Sequence, residues 1–360
     1  MRYQTIHYAR GIAALLVAVG HLYYGFFNST EMITAVGVQA ERLASIPNNI
    51  PVLWKFLPRS QMWVNVFFLI SGFVIEASLA KLKAGQFLVQ RAFRIFPVFW
   101  VACICQLIFN ALIFGREVPN GIGSEVLLLT SVNFLPVDWT LAIEVHFYLL
   151  CTITALAGLS AVKRVLVFWI GMGAALVWKL GVSASWLQML AEGDLLYILF
   201  MSFGSLLFVI LNDVEKEQIV AKLALLIHAI LFFLLVELML THPTFVGRLH
   251  EYDRANFAAA VAIFVSLLLV EPLQIKIRPL EFLGDISYPL YVLHFPVGWA
   301  LHVLFIGTLG ISPLLSLFAS LLSVCALSYL VHLYIEGPSN NFGKTVSKHL
   351  RSRSIQFEKA

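Results

Sequence analysis

Long apolar runs, separated by short polar or charged segments, recur along the chain. A membrane-crossing helix needs about 20 mostly apolar residues. Ten runs meet that standard, near 9–27, 62–80, 93–114, 139–158, 164–181, 194–211, 219–240, 255–272, 286–306 and 311–335. They are too long and continuous for barrel strands, which alternate over ~10 residues. Helices are the remaining way to satisfy every backbone polar group in hydrocarbon. The pattern predicts an all-α polytopic membrane bundle of about ten transmembrane helices. The run from Gly11 to Phe27 has no small-x-small cleavage site after a normal apolar core, so it reads as a retained first span.

Composition strengthens this reading. Apolar residues make up 60% of the chain, charged residues 12%, and mean hydropathy is +0.87. A soluble domain carries about 25% charged residues, so lipid must be part of this chain's solvent. With the N-terminus in the cytoplasm, 17 of the 24 Lys and Arg residues fall on inside segments. That asymmetry predicts both termini inside and an even number of spans. Residues 1–340 are then one transmembrane domain. Residues 341–360 form a basic cytoplasmic tail, a short amphipathic helix or disordered, that meets anionic lipid. Two long outer segments, about 28–61 and 115–138, either shape an acceptor site or pack over the bundle.

The four cysteines lie in apolar stretches and read as structural thiols. The sequence lacks HExxH, cysteine-cluster, Walker A and GxSxG patterns. No metal and no nucleic-acid partner is expected.

The polar residues inside apolar runs are the candidates for chemistry, because an intramembrane ionisable group is costly unless paired or facing water. Arg10 and His21 are eleven residues apart, which returns them to nearly one helix face about 16 Å apart along the axis. Arg91 and Arg94 share a face at i, i+3, and two guanidinium forks at a membrane surface suit phosphate oxygens. Pro97 after them marks a helix start or a kink. Thr140 and Glu144 share a face of the fourth span, with Glu144 about 8 Å inside it. Ser71-Gly72 in the second span permits close packing or a kink. Glu76 is read as pairing with an inside arginine. Ser287, Tyr291 and His294 form one stripe at i, i+4 and i+7. His146, Tyr148, His228, Glu237, His302 and His332 are read as packing, interface or structural residues.

Six blocks in order resemble the bacterial acyltransferase type 3 family, the membrane O-acyltransferases of surface glycans and small glycosides. They are Arg10-x10-His21, Phe67-Phe68-Leu69-Ile70-Ser71-Gly72-Phe73, Arg91-x-x-Arg94, Trp139-Thr140-Leu141-x-x-Glu144-x-x-Phe147-Tyr148, Ser287-Tyr288-x-x-Tyr291-x-x-His294, and Glu336-x-Pro338. The resemblance implies O-acylation at the bacterial inner membrane, with a cytosolic acyl-CoA donor, usually acetyl-CoA, and a glycan or glycoside acceptor such as lipopolysaccharide. It implies His21, Arg10 and Glu144 as catalytic residues, and Arg91, Arg94, Ser71 and Tyr291 as donor-binding residues. His21 is expected to act as general base on the acceptor hydroxyl or to carry the acyl group transiently. Some members have a further extracytoplasmic transferase domain after the last span. Here 22 residues follow Pro338, so any second domain is expected to come from a partner or to be unnecessary. The rival readings are a proton-coupled transporter or flippase and a catalytically silent membrane scaffold.

Overall fold

The computed structural model describes residues 3–25, 29, 60–117, 123, 126–128, 135–181, 194–212, 215–242, 249–250, 252–273 and 275–357. Every regular element among them is helical. In chain order these are α1 (Gln4–Gly20), α2 (Ser60–Leu79), α3 (Ala84–Phe114), α4 (Asp138–Leu156), α5 (Ala161–Gly181), α6 (Leu195–Asn212), α7 (Glu215–Thr241), α8 (Asp253–Val270), α9 (Arg278–Asp285), α10 (Ser287–Leu293), α11 (Pro296–His302), α12 (Pro313–Val331) and α13 (Gly337–Phe357). Among the described residues, eight helices are long and apolar enough to cross a membrane, and a ninth is counted if α10 and the segment Pro296–Thr308 form one broken span, bent by 56°. Large apolar side chains stand exposed on several of them, among them Leu112, Ile153, Leu234, Leu269 and Leu322. Contiguous apolar exposure of this kind belongs to a surface that meets lipid.

The run expected at 286–306 is thus interrupted after Leu293, where Pro296 opens α11 without a backbone donor. Pro97, by contrast, neither starts nor ends a helix: it lies inside the 31-residue α3. The basic tail is helical, continuing α13 to Phe357. The outer segments 28–61 and 115–138 lie largely outside the described residues.

The chain divides into two units. The first comprises Met1–Val64, Ala92–Ala142 and Leu267–Thr345, and the second Asn65–Arg91, Ile143–Ser266 and Val346–Ala360. In the first, α1 packs on α9 and α10, and α11 packs on α12. Gly11 makes the α1–α9 approach possible, because a Cβ there would lie 2.5 Å from the backbone nitrogen of Gly284. Glu271 fixes the N-terminus of α1. Its carboxylate accepts from the backbone N–H of Gln4 and of Thr5, each at 2.7 Å, and from the Thr5 hydroxyl. The orphan donors of a helix start are met this way by a negative charge, which the helix dipole favours.

In the second unit α6 packs on α5 and α7. Where α6 crosses α2, a Cβ on Gly72 would lie 1.8 Å from the Met201 carbonyl oxygen, and one on Gly204 would lie 2.1 Å from that of Leu69. The Ser205 hydroxyl donates to the Gly72 carbonyl at 3.1 Å. Buried Phe200, Phe203, Phe232 and Phe257 pack ring against ring beside this crossing. Arg164 of α5 ion-pairs with Glu76 of α2 through both carboxylate oxygens, as the sequence predicted for that acid.

Candidate functional site

His21 stands where α1 ends and a π-helical turn, His21–Gly25, begins. Single π turns expose backbone groups and recur at functional positions. The turn is held from α11, where the Trp299 indole donates to the His21 carbonyl at 3.3 Å. Around it Leu22, Tyr23, Phe109, Phe295, Trp299 and Leu317 form a buried apolar cluster. Gly298 makes room for Leu22, since a Cβ there would sit 2.3 Å from a Leu22 methyl.

The half-buried ring of His21 meets a second imidazole. His21 Nδ1 and His294 Nε2 are 2.9 Å apart, and the rings stack with centroids 5.2 Å apart and planes 23° from parallel. His294 is fully buried at the end of α10, and its Nδ1 faces the Leu290 carbonyl at 3.2 Å. One turn earlier, the buried Tyr291 hydroxyl lies 2.7 Å from Thr140 Oγ1, which itself donates to the Val137 carbonyl. Tyr291 therefore donates to Thr140 and ties α10 to the start of α4. Ser287, the first member of the predicted stripe, donates to the Gly284 carbonyl at the helix start. The stripe is real, and all three of its members are buried. Arg10 is half-buried on α1.

The second unit holds the acid. Glu144 Oε1 accepts from Ser71 at 2.7 Å and from Tyr148 at 2.6 Å. Both bonds fall on one oxygen, and Glu144 Oε2 accepts none among the described residues. Sequence spacing put Ser71 on α2 and Glu144 on α4 but gave no sign that they pair. Close by in sequence, His146 Nδ1 lies 2.6 Å from Asp194 Oδ2. Read from sequence as a packing or interface residue, His146 is in fact one half of a half-buried ion-pair geometry.

The two predicted arginines differ. Arg91 donates to the Ser78 hydroxyl, and its guanidinium sits 5.3 Å from the Phe87 ring centre and 5.5 Å from that of Tyr148. Arg94, three residues on and half-buried, makes no hydrogen bond or ion pair among the described residues. The remaining intramembrane histidines also have side-chain or backbone partners. His228 accepts from the Trp169 indole and donates to the Leu199 carbonyl, and His302 bonds Ser316. His332 pairs with Glu336. No disulfide joins any of the four cysteines. No group of three or more potential metal ligands occurs among the described residues.

Searches of curated proteins and of solved structures returned no match. A family model described as an acyltransferase domain matches residues 3–333, nearly the whole chain. With apolar helices in number and a match of that extent, this multi-pass membrane protein belongs to the acyltransferase type 3 family.

Proposed function

We propose that this protein is an O-acyltransferase of the bacterial inner membrane that moves an acetyl group from cytosolic acetyl-CoA to a sugar hydroxyl of a surface or lipid-linked glycan. Ten spans with both termini in the cytoplasm are the topology that goes with it. The observation that carries the reading is an imidazole, His21, held by a second imidazole at the end of an apolar helix in a chain of acyltransferase ancestry. A pair of rings at such depth is expensive to maintain without a use.

His21 acts as the general base. It takes the proton of the acceptor hydroxyl as that oxygen attacks the thioester carbonyl carbon. The tetrahedral intermediate collapses, the C–S bond breaks, and the CoA thiolate leaves and takes the proton back from the imidazolium. The products are the O-acetyl ester and free CoA thiol. Arg10 stabilises the negative charge that develops on the carbonyl oxygen. Arg91 and Arg94 hold the CoA phosphates at the cytoplasmic face, and Arg94 is supported in that role by its uncommitted guanidinium. Ser71 and Tyr291 serve donor binding. Glu144 orients the acceptor through Oε2, the oxygen left open by Ser71 and Tyr148. The basic end of α13 rests on anionic lipid at the inner leaflet.

The test is mass spectrometry of surface glycans from cells with the wild-type gene, without it, and with His21→Ala. Loss of one acetyl mass in both altered strains, with the variant still accumulating in the membrane, supports the reading. Unchanged glycans refute it, as does transport of a glycan without consumption of acetyl-CoA.

A further inference from the structure

We propose that His294 is a positioning residue that sets the tautomer of His21 and thereby makes Nε2 of His21 the reactive nitrogen. The inference rests on the reading of His21 as the base. It begins at the far end of the chain of contacts. A backbone carbonyl can only accept a hydrogen bond, so the 3.2 Å contact from Leu290 places a hydrogen on His294 Nδ1. In the neutral ring the lone pair is then on Nε2. That lone pair lies 2.9 Å from His21 Nδ1, so His21 donates from Nδ1. The single proton of neutral His21 is thereby located, and its Nε2 is left as an acceptor. Which nitrogen of a histidine reacts is commonly decided by the bond the other one makes.

The surroundings of the pair agree. His294 is 0% exposed, and its ring is flanked by Tyr291 and Phe295. The edge of Phe295 also meets His21, with centroids 6.2 Å apart. Trp299 anchors the His21 backbone from the same side. The His21 ring is thus constrained at its carbonyl, its face and its Nδ1. No carboxylate bonds either ring among the described residues. Carbonyl, imidazole and imidazole take the places that carboxylate and imidazole hold in a hydrolase triad, where the acid likewise fixes tautomer and orientation without accepting the proton. When His21 takes a proton at Nε2, Nδ1–H continues to donate to His294, and no proton has to travel along the chain of contacts.

Full-length protein in membrane vesicles, given labelled acetyl-CoA, separates this role from a merely structural one. In His294→Phe the Nδ1 partner is lost while a ring still fills the space. kcat is expected to fall about 100-fold, with KM for acetyl-CoA within about twofold of wild type. In His294→Gln the amide oxygen offers an acceptor to His21 Nδ1, and kcat is expected within about tenfold of wild type. Full kcat in His294→Phe overturns the proposal, as does an equal loss in both variants. Should His294→Phe not accumulate, nitrogen NMR of the wild-type protein with ¹⁵N-labelled histidine decides. A protonated Nδ1 and bare Nε2 at His21 support the proposal, and the opposite tautomer overturns it. Normal transfer by His21→Ala would instead remove the base itself. An inactive His21→Ala beside a fully active His294→Phe would overturn the positioning role alone.

Discussion

Glu271 holds Thr5 by both its backbone N–H and its hydroxyl, so the first turn of α1 is anchored to a residue 266 positions away. The anchor sets the height and rotation of the helix that ends in His21. Substituting Glu271 by Ala removes the carboxylate acceptor from the Gln4 and Thr5 donors. A loss of about 1–2 kcal/mol is expected for such a cap, which lowers Tm by about 1–2 °C per kcal/mol in a chain of this size. Thermal unfolding in detergent measures it. A Glu271→Gln variant, which keeps an acceptor but not the charge, should lie between the two.

The Glu76–Arg164 pair predicts non-additivity. Both side chains are buried, and Arg164 also donates to the Leu159 carbonyl at 2.9 Å. Removing one partner strands the other charge, an effect worth about 3–5 kcal/mol. Glu76→Leu and Arg164→Met are each expected to accumulate poorly, and the double variant to recover most of the loss. Fluorescence-detected size exclusion of the three variants makes the comparison.

At the α2–α6 crossing, Gly72→Ala and Gly204→Ala are each expected to destabilise by more than the 1–3 kcal/mol typical of overpacking, since the added methyl meets carbonyl oxygens. Gly171 and Gly173 of α5 have nothing within 4 Å of an added Cβ, and alanine there should be neutral. Folded yield from identical preparations reads the difference.

Arg94→Ala and Arg91→Ala should separate donor binding from packing. Losing a charged contact to phosphate is expected to raise KM for acetyl-CoA about 10-fold or more, with little change in Tm for Arg94→Ala. Arg91→Ala also loses its stacking over Phe87 and Tyr148 and should lower Tm as well. Unchanged KM in both variants would assign the pair to topology alone.

Single-turnover quenching with labelled acetyl-CoA tests the base role of His21 against an acyl carrier. Acid-quenched protein is expected to hold no label. Label on a His21 peptide would show that the imidazole carries the acyl group.

Much of this architecture can be read from apolar run length, because a helix that meets lipid has no other way to satisfy its backbone. Glu76 was legible for the same reason: an acid at that depth must be paired. The break after Leu293 was not, since His294 reads there as the last member of a helical stripe and only Pro296 marks the interruption. Pro97 left a helix start and a kink both open, and the start is excluded: a missing N–H is tolerated inside a long membrane helix whose neighbours stabilise it. In the site, helical spacing gave the stripe Ser287, Tyr291 and His294. It could not give the meeting of His21 with His294, 273 residues apart, or of Ser71 with Glu144. Those contacts depend on which helix faces are neighbours. Asp194 was missed because it sits at the edge of an apolar run and passes for an interfacial acid.

The contact between Gly11 and the backbone at Gly284 limits how this chain can change over time. An enlarged residue in a side-chain core is often rescued by shrinking its neighbour. At Gly11 the two nearest atoms are main chain, the Gly284 nitrogen and the carbonyl carbon of Leu283, each 2.5 Å from the imagined methyl, and main chain has nothing to trim. Second-site suppressors of Gly11→Ala should therefore not map to the side chains facing it. They should map to positions that let the α9 segment slide as a whole, such as the turns at either end.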